Sequence, residues 1–345
     1  MSRADQFVFG YDEGHRLLIA SREVPRAVLV QLLVATDAVM SPDCPPLITG
    51  LPLPDTAEFA LAITWPDPRA ARAGAVCSHV LLLDAAALAV PGTVEALVRL
   101  ARNPAGASLE EFVGPLRLDG GVSAVQPGLL SGRGPKVEVL ESFLEVACRS
   151  DGPGVVIHAA LDDAARAMIV IWSALWPALR SRFSFRTREL VTAEQTDFAL
   201  TAALRLSGGS AAGTRTERPP PAWVEELARV VNSPVQGRLA AFLAEFGPAE
   251  VPVPLRLRRL AELWTAVAAA DVEAARDQIE AHWPDPESGA ALKQALFGGR
   301  AREWWPVAER DRVAALLGTR HPTWDLIELD LTGRVRALAR SSSAG

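Results

Sequence analysis

Tyr11, Asp12, Glu13 and His15 fall within five positions, and Cys77 and His79 stand two apart further on. Two imidazoles with a carboxylate beside them can pass a proton as general acid and base, or ligate a metal. A hydrolase using His15 and His79 with Asp12 or Glu13 is therefore one reading. The spacing does not single it out. Two-histidine phosphoesterases carry a hydroxyl residue two places after each histidine, and here Leu17 and Leu81 stand there. The other reading is structural: each imidazole hydrogen-bonds locally and holds a hairpin against a sheet. His158, beside Asp162 and Asp163, reads as a capping or packing residue. Arg180, Arg182, Arg186 and Arg188 surround Phe183-Ser184-Phe185. Arginine forks match phosphates, but this group reads as a solvated face. Arg256, Arg258 and Arg259 alternate with leucines and read as a helix start.

The elements that must position these residues follow from periodicity. Gln6–Gly10 and His15–Ala20 flank the turn Tyr11-Asp12-Glu13-Gly14, which predicts a hairpin. Pro25 suits a helix start, and apolar residues then recur at helical spacing from Val28 to Met40. Glu58–Trp65 alternates as a strand with one apolar face. Val76–Leu83 is apolar on both faces, as a central strand is. Cys77 and His79 then share a face, and a sheet could bring His15 to His79. A short helix over Thr93–Arg102 follows. Gly and Pro crowd 114–135, a linker by composition; Gly132-Arg133-Gly134 within it reads as loop.

Beyond it, Val137–Arg149 reads as a helix and Gly154–Ala159 as a strand. Leu161–Trp176 carries one apolar stripe, with Asp162 and Asp163 in the first turn where they favour the helix dipole. Phe183–Thr187 and Asp197–Leu206 read as strands. A second linker spans 207–221. Seven helical patterns follow: 222–231, 235–246, 255–270, 272–281, 288–297, 303–317 and 331–340. The expected fold class is α+β in three units. These are a mixed α/β N-terminal domain over 1–130, an α+β middle domain over 136–206 and an all-helical domain over 220–345.

Composition removes several functions. Over 345 residues the net charge is −6, with no basic excess, so nucleic acid is not the expected partner. Apolar residues make up 49 %, enough for a real core. Lys136 and Lys293 are the only lysines, and neither precedes Ser or Thr, so there is no Walker A loop. H-E-x-x-H and G-x-S-x-G are also absent. Cys44, Cys77 and Cys148 show no C-x-x-C spacing, so neither a disulfide framework nor a zinc knuckle is expected. The N-terminus lacks the apolar region of a signal peptide. The longest apolar run, Ala167–Leu179, is too short to span a bilayer. A cytoplasmic protein with no cofactor, no metal and no membrane contact is expected.

Six of the nine tryptophans lie beyond residue 220. Trp304 and Trp305 are adjacent, and neighbours on a helix diverge by about 100°. One of the two is therefore expected to be exposed as an anchor for a protein partner.

The run from Gln6 to Leu18, with Ser21 after it, resembles the opening of bacterial GTPase-associated proteins. Arg72-Ala73-Gly74, then Ser78-His79 ahead of an aliphatic strand, resembles their second motif. Gly10, Tyr11, Asp12, Gly14, His15, Arg72, Gly74, Ser78 and His79 carry the likeness to the type-one N-terminal domain. Ala167–Thr187, with Trp-Pro leading into Phe-Ser-Phe-Arg-Thr, is similar to the middle domain of that family. The likeness covers about residues 5–205. It implies a non-enzymatic adaptor that links a partner GTPase, encoded nearby, to an effector in an NTP-dependent conflict or defence system. It implies no catalytic residues.

Overall fold

The computed structural model describes residues 3–89, 93–118, 135–147, 154–158, 161–175, 177–188, 200–204, 220–231, 238–247, 253–316 and 322–324. Most of the two glycine-rich linkers, Gly132–Gly134 among them, and the helical pattern at 331–340 lie outside these residues. So do Cys148 and the side chain of His158.

The strands in chain order are β1 (Arg3–Tyr11), β2 (His15–Ala20), β3 (Leu47–Leu53), β4 (Glu58–Pro66), β5 (Val76–Leu83), β6 (Leu116–Arg117), β7 (Gly154–His158), β8 (Phe185–Arg186) and β9 (Leu200–Leu204). The helices are α1 (Arg26–Thr36), α2 (Ala85–Ala89), α3 (Thr93–Leu100), α4 (Val137–Ala147), α5 (Leu161–Ala174), α6 (Pro177–Arg180), α7 (Ala222–Val231), α8 (Arg238–Phe246), α9 (Val253–Ala268), α10 (Val272–His282), α11 (Ala290–Phe297), α12 (Ala301–Trp304) and α13 (Arg310–Leu316). The fold is α+β.

One sheet runs in the order β2-β1-β5-β4-β3-β8-β9-β7, with β6 added beside β1. Its first five strands are antiparallel, and β8, β9 and β7 are mutually parallel. The join is the short pairing of Thr49 and Gly50 on β3 with Arg186 and Phe185 on β8. Thr187 locks it from both sides. Its N–H donates to the Ile48 carbonyl, and its hydroxyl accepts from the Ile48 N–H at 2.9 Å. The sheet therefore continues from the N-terminal segment into the residues past 136.

Strand alternation sends successive side chains to opposite faces. Phe7, Phe9, Ala60, Ala62, Val80 and Leu82 turn to one face, where Val28 and Leu32 of α1 cover them. Ala4, Phe59, Leu61, Ile63, Cys77, Leu81 and Leu83 turn to the other. There Trp172 of α5 stacks on Phe59 at 5.0 Å between ring centres. That second core runs without a break through α7–α11 to Val313.

Two expectations change. The helix expected over 303–317 is two: α12 stops at Trp304, and α13 begins at Arg310 after a 3-10 turn. Pro306 separates them, having no N–H to continue a helix. The arginines at 180–188 are not all a solvated face either. Arg180 is 5 % and Arg186 3 % exposed. Arg180 donates to the carbonyls of Leu88, Ser173 and Leu175, and Arg186 to that of Ala35. Burial lowers both pKa values, that of Arg186 to about 10. These two forks tie separate segments together through main-chain oxygens. Arg182 is exposed and Arg188 half-buried.

Candidate functional site at the hairpin end of the sheet

The residues of the two sequence motifs meet where β1 turns into β2 and β4 connects to β5. Tyr11 pairs with His15 across the hairpin. The loop between them needs left-handed backbone at Glu13, φ 57°, and at Gly14, φ 145°. Glycine takes such values freely. The Asp12 N–H donates to the Gly14 carbonyl at 2.9 Å, and the Arg16 side chain pairs with the Asp12 carboxylate in the open. Gly10, one residue before the turn, leaves its outer side to the Leu18 side chain.

Arg72 comes from the β4–β5 loop and sets its guanidinium 5.7 Å from the centre of the Tyr11 ring, a cation–π distance. Its loop is held firmly. Ala75 N–H donates to the Arg72 carbonyl, and Met40 N–H donates to Gly74 O at 3.1 Å. Gly74 sits at φ 76°, and a Cβ there would stand 2.7 Å from Val39. Tyr11, Asp12, Glu13, Arg16 and Arg72 thus form a partly exposed polar surface on a rigid frame.

His15 lies on the α1 side of the sheet. Its ring stacks toward Phe9 at 6.2 Å, and its Nε2 is 2.9 Å from the Thr36 hydroxyl. That hydroxyl donates to the Leu32 carbonyl, so Nε2–H is the donor to it. Burial lowers the His15 pKa, and Asp37 partly opposes the shift. Ser78 is on the same face, its hydroxyl 2.8 Å from that of Thr64.

His79 lies on the other face and has no exposed surface. Its Nδ1 accepts the Arg102 N–H at 3.0 Å, and its ring meets Phe112 edge-on at 4.9 Å. The proton then belongs on Nε2, which has no hydrogen-bond partner among the described residues. Burial, with the charge of Arg102, pushes the His79 pKa down to about 3. Cys77 shares this face and donates its thiol to Asn103 Oδ1 at 3.3 Å. Burial raises that thiol to about 11, which keeps it protonated and unreactive.

The two histidines therefore do not converge. The hydrolase reading, with His15 and His79 sharing a proton or an ion beside Asp12 or Glu13, is corrected by this separation. Among the described residues no group of three or more His, Cys, Asp or Glu side chains is placed to hold a metal ion. Sequence reasoning missed Thr36, Arg102, Asn103 and Phe112, which fix the histidines and Cys77. Thr36 ends a helical stripe that faces the sheet, and that position is the one available signal.

The tryptophan expectation also changes. Trp304 is 7 % and Trp305 2 % exposed. The helix ends between them, and Trp305 is extended, at φ −99° and ψ 142°. The two rings consequently enter different parts of the core. Trp304 packs with Phe242, Phe246 and Trp264, at 5.3 to 6.4 Å between ring centres. Trp305 donates to the Leu296 carbonyl at 2.6 Å. Neither is available as a surface anchor.

Among the described residues no helix is long and apolar enough to cross a membrane. No curated protein matches the chain. The segment that builds β1–β5, α1–α3 and the whole hairpin end, residues 3–101, matches the family model described as GTPase-associated protein 1, N-terminal domain type 1.

Proposed function

We propose that the chain is a non-enzymatic adaptor that joins a partner GTPase to an effector in a bacterial conflict system, acting in the cytoplasm. The observation that carries this reading is the family match over residues 3–101. Its motif residues divide into two roles. Gly10, Gly14, His15, Gly74, Ser78 and His79 build the frame, while Tyr11, Asp12 and Arg72 stand at its open end. The partner GTPase docks on that open end. The segment 1–130 then serves as the recognition unit, with 136–206 and 220–345 continuing its core.

The placement of the two histidines on opposite faces, each in a structural hydrogen bond, supports an adaptor over a hydrolase. The carbonyl partners of Arg180 and Arg186 support a protein partner over a nucleic acid, since a phosphate-binding surface needs free forks. Co-expression with a GTPase encoded beside this gene tests the reading. The GTPase is expected to co-purify with the wild-type chain and to be lost with Arg72→Glu, which reverses charge at an exposed position. Failure of any neighbouring GTPase to co-purify contradicts it.

A further inference from the structure

Helix α1 is apolar almost all round. Between Ala27 and Ala35 its single polar residue is Gln31. Val28, Leu32, Ala35 and Thr36 are buried on the sheet. On the outer side Val30 is 50 % and Val34 41 % exposed, and Val39, just past the helix end, is 59 % exposed. A helix apolar on every side normally has neighbours on every side. Single exposed valines need no explanation, but Val30 belongs to a patterned row and Val34 flanks it.

Arg26, Val30, Leu33 and Asp37 follow one another at spacings of four, three and four. That is the spacing of a two-helix seam. Both ends of the row, Arg26 and Asp37, are exposed, and neither makes a salt bridge with another described residue. At 1.5 Å per residue they stand about 16 Å apart. The row is self-complementary. Turned end for end, it lays Arg26 on Asp37 and Val30 on Leu33, with Val34 meeting Leu29 beside it; Leu29 and Leu33 are partly buried against the sheet and offer their outer edges. A two-fold interface requires this property, because each side must present the same patch to the other.

We propose that α1 is a dimerisation helix: two copies of this chain pack α1 against α1 in antiparallel fashion, with Val30, Leu33 and Val34 in the seam and an Arg26–Asp37 pair closing each end. The occupant is a second copy because this chain supplies both charges in the order the row demands. Two helix faces bury less than a standard interface, so the association is weak and depends on concentration. A dimer would carry two hairpin ends and engage partners bivalently. The dimer does not depend on which partner those ends bind.

Sedimentation velocity on the full chain, over about 1–300 µM as suits a weak interface, tests the proposal. The mass is expected to rise toward that of two chains. Val30→Glu, at an exposed position, is expected to weaken association by about tenfold or more, the effect of about 1.4 kcal/mol. Arg26→Asp and Asp37→Arg are each expected to weaken it, and the double variant to recover it. Each variant is compared at a thermal midpoint matching the wild type, and Val34→Glu replaces Val30→Glu if that variant melts early. A monomer at every concentration, as found if another segment covers α1, overturns the proposal. So does a dimer that Val30→Glu and Val34→Glu leave unchanged, or a charge-swapped pair that stays as weak as the single variants.

Discussion

His15 and His79 sit on opposite faces of one sheet, each held by a polar partner from the helical layer packed on that face. His15 donates to Thr36 at the end of α1, and His79 accepts from the Arg102 main chain just past α3. Histidine pairs in sequence suggest shared chemistry. In this chain each imidazole instead fastens a different helical layer to the strands between them.

The buried neutral state of His79 makes stability fall in acid. Its folded pKa of about 3 lies below the ordinary 6.5, so the unfolded chain takes up the proton first. The contribution is complete above pH 6.5 and is lost as pH falls toward 3, by about 1.4 kcal/mol per pH unit. His15, also lowered, acts in the same direction. Urea unfolding at about pH 7.5, 6 and 5, values chosen around that window, is expected to show the decline. His79→Asn keeps an acceptor for the Arg102 N–H and does not titrate, so it is expected to flatten the slope. His79→Ala is expected to cost about 1–3 kcal/mol at neutral pH. An unchanged slope in the Asn variant would contradict the burial argument.

Gly50 fixes the join between β3 and β8. A Cβ there would collide with the Phe185 ring and stand 2.8 Å from the Phe59 ring. Both rings are fully buried and have nowhere to move. Gly50→Ala is expected to lower stability by about 1–3 kcal/mol, the usual cost of overpacking. Amide exchange would locate the damage: protection at Phe185–Thr187 should fall more than protection at β1 and β5. Equal protection in both regions would mean that the join is not the site of strain.

Trp304 and Trp305 are core residues with different polar fates. Each Trp→Ala change is expected to cost about 3–5 kcal/mol in thermal or urea unfolding. The Phe variants should separate. Trp305→Phe loses a donor to the Leu296 carbonyl, whereas the Trp304 indole N–H has no acceptor among the described residues to lose. Trp305→Phe is therefore expected to be the costlier by about 1 kcal/mol. If Trp304→Phe proved the costlier, the hydrogen bond at Trp305 would carry no weight.

The strands that carry the motifs are legible in the sequence because alternation and a two-residue spacing are local properties. Glu58–Trp65 and Val76–Leu83 match β4 and β5 almost to the residue. Leu47–Leu53 is not legible, because Gly50 and Pro52 break its apolar run. Both residues are nonetheless accommodated in the strand, and Gly50 makes room for Phe185. The partners of the histidines lie 21 and 23 residues away in sequence, beyond any periodicity. The faces the histidines occupy depend on pairing register and on a β-bulge in the β1–β2 hairpin, which no local pattern fixes. The Trp304-Trp305 expectation assumes a continuous helix, although Pro306 is visible in the sequence and marks its end.

The most direct test of the adaptor account is the affinity of the purified chain for the GTPase encoded beside it, by titration calorimetry. The account predicts saturable binding that Tyr11→Ala and Arg72→Glu each weaken by about 2 kcal/mol or more, as interface anchors do, with thermal midpoints unchanged. It also predicts that Arg182→Asp, a charge reversal at an exposed position outside the matched segment, leaves binding intact. No binding, or binding that the hairpin variants leave unchanged, would contradict it.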